Sequence, residues 1–210
     1  MSAKERKIVF VAGLHGNEEM PVRALEENSV PFILGNPRAL KKKVRFTAED
    51  LNASFGIRGA SYEARRAKEI LTKIGKKDLV VDFHTTTAKT PPFVILVDKK
   101  MIPLAATTGL SRVVIMKHNI KQGHALIDYR DGISIEAGNH GSKESYRITL
   151  RIVKNISACA KHRVRIYEVY DKITKPGRYK NFKKHREGFI PILAGEKAYD
   201  FYGLKARRVL

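Results

Sequence analysis

The chain has 210 residues, 43% hydrophobic and 30% charged, which suits one sizeable globular core or a core with a small appended unit and excludes a disordered or fibrous polymer. No apolar run approaches the roughly 18 residues of a membrane span or forms a signal-peptide core, so a cytoplasmic protein is expected, and the single cysteine, Cys159, excludes an internal disulfide and a cysteine-based zinc cluster. Its 41 Lys and Arg outnumber 21 Asp and Glu for a net charge of +20, a surface that suits nucleic acid, yet the cations are spread along the whole chain without a basic tail, and a proteome with a basic bias or an anionic substrate would leave the same totals, so nucleic acid is not favoured.

Short apolar, β-branched runs predict strands at Ile8–Ala12, Phe32–Leu34, Leu79–Phe83, Phe93–Val97, Val113–Met116 and Ile133–Ile135. Between them, Met20–Glu27, opened by Pro21, and Tyr62–Ile74, with Ala67, Ile70, Leu71 and Ile74 on one face and Gly75 beyond its end, predict helices. A longer helix is expected from Ser142 to about Ala160, with Cys159 a small core residue on the face of Ile152 and Ile156. Apolar strands alternating with helices imply an α/β fold, a mostly parallel mixed sheet flanked by helices. After residue 160 the texture changes: Val164–Tyr170 alternates like a half-buried strand, and the rest is rich in lysine, glycine and isolated aromatics. A catalytic domain over 1–160 and a small β-rich segment over 161–210 are therefore expected. Lys41–Lys43 and Lys183–Lys184 read as solvated surface.

Chemistry gathers at the strand ends. GLHGNE, residues 13–18, places His15 and Glu18 three apart beside glycines, and the run VVDFHTTT ends a strand in His84. Ligands of an open α/β sheet collect at the carboxyl ends of its strands, and two histidines with one carboxylate and an open position form the ligand set of catalytic zinc. The bland alternative has His15 capping a turn and His84 satisfied in the core. In ISIEAG, residues 133–138, a lone carboxylate, Glu136, interrupts a buried apolar run. That is costly unless the group is paired or functional, and beside a metal it suits a general base.

GLHGNE, GNPRALKKKVRFTAEDLN, DFHTTT and ISIEAG together resemble the succinylglutamate desuccinylase and aspartoacylase family, whose fold is that of zinc carboxypeptidases. The resemblance runs from about Ile8 to Gly138 and thins afterwards. It implies one zinc per chain held by His15, Glu18 and His84, with Glu136 activating water and later protonating the leaving amine. It also implies that Arg45 polarises the substrate carbonyl, that Asn52 orients the substrate, that Asp50 braces the loop or a ligand, and that Tyr199 in GEKAYDFYG contacts the substrate. His140 lies close enough after Glu136 to reach the rim, whereas histidines 118, 124, 162 and 185 lack metal spacing.

One departure concerns the arginine that follows DLN in the family and clamps a substrate carboxylate: here DLNASF puts Ala53 in that place. Either Arg130 or Arg38 takes over the clamp, or the substrate is amidated or extended at that point; the second is expected. Arg130 is thus carried as a candidate substrate-binding residue. The expected activity is zinc-dependent hydrolysis of an N-acyl amino acid or similar small amide. The alternatives are a metallocarboxypeptidase-like hydrolase and an inactive relative that binds nucleic acid through its basic surface.

Overall fold

A computed structural model describes residues 6–116 and 123–209. The elements are β1 (Ile8–Ala12), α1 (Glu19–Glu27), β2 (Phe32–Leu34), α2 (Pro37–Lys42), α3 (Tyr62–Lys73), β3 (Leu79–Thr86), β4 (Phe93–Leu96), α4 (Ile102–Thr107), β5 (Arg112–Ile115), α5 (Leu126–Tyr129), β6 (Gly132–Asn139), α6 (Lys143–Ser157), β7 (Arg165–Lys172), β8 (Ile190–Ile192) and β9 (Leu204–Arg208). The expected mixed α/β sheet is present. All nine of these strands join one sheet in the order β2-β1-β3-β6-β4-β5-β7-β9-β8. β1 pairs in parallel with β2 and β3, β3 with β6, β4 with β5 and β5 with β7, whereas β4–β6, β7–β9 and β8–β9 are antiparallel. The β-rich C-terminal segment therefore prolongs one edge of the same sheet. Among the described residues no helix is long and apolar enough to cross a membrane.

Helix starts follow side-chain chemistry. Ser61 and Ser142 accept backbone N–H groups of Ala64 and Glu144 to open α3 and α6. The Asn36 side chain accepts from Ala39 N at 3.0 Å while Pro37 fixes the first helical φ of α2. α6 stops at Ser157, earlier than expected, and Cys159 sits beyond it with φ 52° and exposed. Cys159 is therefore not a core residue, because the chain has already left the helix before reaching it.

The two faces of the sheet divide the chemistry. Side chains alternate along a strand, so Ala12, Val81, Phe83, Ile133 and Ile135 point to one face and form a core with Val22 and Leu25 of α1 and Ile148, Ile152 and Ile156 of α6. Val9, Val11 and Val80 point to the other and pack with Leu51, Phe55, Ala67 and Ile70. Asp82 and His84 follow Val80 on that second face, and Ser134 and Glu136 alternate with the isoleucines of β6. The polar residues thus replace the apolar ones toward the carboxyl ends, at the crevice flanked by β1 and β3. From β1 the chain passes first to β2 on one side and then back to β3 on the other, the reversal at which α/β sheets open a ligand site.

Candidate metal centre

The loop after β1 delivers the first two donors. Gly13 takes φ +72°, and the turn closes with Glu18 N–H donating to His15 O at 3.2 Å. A Cβ on Gly16 would come within 2.0 Å of Ala39 C and 2.2 Å of Leu40 N, so only glycine lets α2 approach this loop. Gly16 N–H also donates to Arg45 O at 3.1 Å, fixing the segment that carries that guanidinium.

His15, Glu18 and His84 converge, each buried, with one donor atom apiece all within 4.8 Å of one another. His15 Nδ1 lies 2.8 Å from Glu18 Oε1, and His84 Nδ1 lies 3.0 Å from Glu18 Oε2. The opposite ring nitrogens face two other carboxylates: His15 Nε2 is 2.9 Å from Asp50 Oδ1 and His84 Nε2 is 2.6 Å from Asp82 Oδ2. This is the arrangement expected of metal-binding imidazoles, which present one nitrogen to the ion and anchor the other on a carboxylate. The two Nδ1 atoms and the Glu18 carboxylate suit a divalent ion.

Charge is dense around this cluster. Burial pushes Glu18 up, but the charges and hydrogen bonds of His15 and His84 hold it far below the ordinary carboxylate range. Burial opposes protonation of His84, yet Asp82 and Glu18 raise its pKa well above 6.5. Two imidazoles crowded on one carboxylate, with further acids behind them, leave a dication as the natural neutraliser.

β3 and β6 run parallel in a register that sets His84 beside Glu136. Glu136 Oε2 is buried with no hydrogen-bond partner among the described residues. Burial, with Glu18 and Glu196 adding to it against the opposing charge of His84, raises its pKa to about 8. Arg45, a half-buried residue of the loop after α2, donates from Nη2 to Asp50 Oδ2 at 3.0 Å, so one carboxylate braces both Arg45 and His15. Glu63, fully buried on α3, holds that loop in turn: its Oε1 accepts from Thr47 N at 2.8 Å and Thr47 Oγ1 at 2.6 Å.

His15, Glu18, Arg45, His84 and Glu136 line one cavity of about 80 Å3 together with Asn52, Thr85, Ser134, Glu196 and Tyr199; Ile95, Val97, Met116, Ile127 and Leu193 supply its apolar walls. Asn52 accepts Leu126 N–H on Oδ1 at 3.2 Å. His140 stands behind the lining, its Nδ1 2.6 Å from Thr85 Oγ1. Sequence reasoning missed Asp82 and Glu196. Asp82 was visible as the residue two before His84 in a strand, on the same face. Glu196 carried no signal: it meets Thr86 and Thr87 across separations of 110 and 109 residues.

Arg130 is elsewhere. Its guanidinium donates to the carbonyls of Leu71 at 2.8 Å, Ile74 at 3.2 Å and Tyr129 at 2.8 Å, capping the end of α3, so it does not line the cavity and cannot replace the missing clamp. Arg38 lies over the Tyr62 ring, 4.1 Å from its centroid. His118 falls outside the described residues.

The family model "Succinylglutamate desuccinylase/Aspartoacylase catalytic domain" matches residues 4–159. The chain belongs to this family. A probable aspartoacylase of Prochlorococcus marinus is 28% identical over 158 residues, 64% of this chain and 54% of the relative. An N-acyl-aromatic-L-amino acid amidohydrolase (carboxylate-forming) of Xenopus tropicalis is 36% identical over 106 residues, 39% of this chain and 34% of the relative. Murine aminoacylase 3 superposes with a TM-score of 0.76 at 18% identity, over 97% of this chain and 95% of that one, which places the desuccinylase and aspartoacylase fold on nearly every residue here. The chain spans about half the length of the first of the curated relatives, 54%, and less of the second, 34%.

Proposed function

We propose that the protein is a zinc-dependent amidohydrolase that cleaves the amide of an N-acyl amino acid or similar small amide. One observation carries this reading: two imidazole Nδ1 atoms meet on Glu18 while an unpartnered, buried carboxylate oxygen of Glu136 faces the same cavity. A structural ion-pair network has no use for the second feature.

His15, Glu18 and His84 would hold the ion, anchored from behind by Asp50 and Asp82. When bound, zinc acidifies water and polarises a carbonyl. Glu136, kept protonated up to about 8 in the free site, would be ionised beside a bound dication. It then takes a proton from the attacking water and returns it to the departing amine nitrogen, so that the C–N bond breaks with a neutral amine leaving. Arg45, oriented by Asp50, donates to the carbonyl oxygen as negative charge grows there, at no cost of reorganisation. Asn52 and Tyr199, which line the same cavity, would contact the substrate.

The test is metal analysis of purified protein together with hydrolysis of a panel of N-acyl amino acids, their amides and short N-acyl peptides. Stoichiometric zinc with amide cleavage that is lost on chelation is expected. A protein that retains zinc and cleaves no member of the panel refutes the hydrolase reading.

A further inference from the structure

The cavity that holds the candidate catalytic groups is poor in positive charge. Among the described residues its one Lys or Arg is Arg45, already donating to Asp50, while Glu18, Glu136 and Glu196 contribute three carboxylates. An anionic group further along a substrate meets no other cation in the described lining of this cavity.

Glu196 and Tyr199 form a wall common to this cavity and to a second, open groove of about 720 Å3. The groove is lined by Arg178, Lys180 and Lys197, all exposed, and none of the three forms an ion pair among the described residues. Two acids also line it. The Glu196 carboxylate is already taken up, accepting from Thr86 and Thr87 hydroxyls, from Thr87 N–H at 2.9 Å and from Ala198 N–H at 2.9 Å. Asp200 remains, so three cations face one uncommitted carboxylate. Tyr199, in the shared wall, stacks on Phe201 of the groove at 4.6 Å with the planes 20° apart, which fixes the wall between the two spaces.

We propose that this groove binds the acidic tail of an extended amide substrate, so that carboxylate or phosphate groups several bonds beyond the scissile amide are read by Arg178, Lys180 and Lys197. The idea rests on the hydrolase reading for what becomes of the amide, but binding of the tail does not require turnover. It also accounts for Ala53: an amine half that continues out of the cavity has no free carboxylate at the position of the lost clamp.

Fluorescently labelled N-acetyl peptides ending in Asp-Asp, Asn-Asn or phosphoserine are titrated against the full chain, with and without the triple substitution R178A/K180A/K197A. Rim charges act singly at a few-fold each and fall with salt, so the triple variant should weaken binding of the Asp-Asp peptide by about tenfold or more. It should change the Asn-Asn peptide by less than about twofold. A stronger effect on the phosphoserine peptide would name phosphate as the preferred group, and an equal or smaller one the carboxylate; both support the site. Equal affinity for Asp-Asp and Asn-Asn, or a triple variant that keeps the acidic preference, overturns it. Displacement of the Asp-Asp peptide by a single-stranded oligonucleotide at lower concentration than by the unlabelled peptide also overturns it and assigns the groove to nucleic acid. Tail binding through these cations in a protein that cleaves no amide refutes the hydrolase reading alone, whereas cleavage without tail preference refutes the groove alone.

Discussion

Asp82→Asn separates a metal-anchoring carboxylate from a buried residue that only fills space. Asp82 is fully buried, its Oδ2 lies 2.6 Å from His84 Nε2, and Ser134 Oγ is 3.5 Å from the same oxygen. Asparagine keeps the shape and removes the charge, so the imidazole becomes a poorer donor to a cation. Partners of this kind are worth about 10- to 100-fold in metal affinity, or about 1.4–2.8 kcal/mol. A second effect opposes the first. Asp82 is a principal reason the pKa of His84 lies well above 6.5, and the ion must displace that proton; without Asp82 there is less proton to displace. The deficit of the variant should therefore be small near pH 6 and approach the full 10- to 100-fold above the raised pKa of His84. Competition with a chromophoric zinc chelator across this range, with circular dichroism to confirm folding, reads the difference. A folded variant whose zinc affinity matches the parent at every pH would refute the anchoring role, and so would a deficit that shrinks as pH rises.

His84→Ala should lose zinc altogether, and full stoichiometry by metal analysis would contradict the ligand assignment. Glu136→Gln should keep fold and zinc while lowering kcat by about 10²- to 10⁴-fold; loss of stability with activity per folded molecule preserved would make Glu136 a core ion pair. In the metal-free protein, Glu136 near 8 and His84 well above 6.5 both bind more protons folded than unfolded, so stability should fall as pH rises from about 5 through 8. Glu136→Gln should flatten that decline in urea titrations, because it deletes one of the two titrating groups. Gly16→Ala would drive a Cβ to 2.0 Å from the α2 backbone and should destabilise the fold by about 3 kcal/mol, the upper range of overpacking, with a matching drop in urea midpoint.

The convergence of His15, Glu18, His84 and Glu136 was legible because all four obey strand logic: each sits at or near the carboxyl end of an apolar run, and the sheet brings those ends together. Asp82 belonged to the same logic, two residues before His84 on one face of β3, and was passed over because a carboxylate behind a ligand carries no spacing signal of its own. Arg130 was misread for a different reason. From sequence an arginine near a site is a free cation, whereas its three carbonyl partners depend on where α3 ends in space. The helix of Pro37–Lys42 announced itself only through its Asn-Pro start. The closing strand Leu204–Arg208 carries Lys205, Arg207 and Arg208 among few apolar residues and gives no clean alternation.

The order of assembly along the chain has a consequence for how such a protein matures. Synthesis proceeds from the N-terminus, and the loop after β1, with β3 and β6, which together carry every proposed ligand and the base, have all been made once residue 139 has emerged, whereas Leu193, Glu196 and Tyr199 of the cavity lining follow later. During translation the residues proposed as ligands are thus all present before the rest of the cavity lining. If the proposed ligands hold zinc, the lining added later would slow its exchange, so late addition of zinc to the finished chain should be slower than loading of a nascent one.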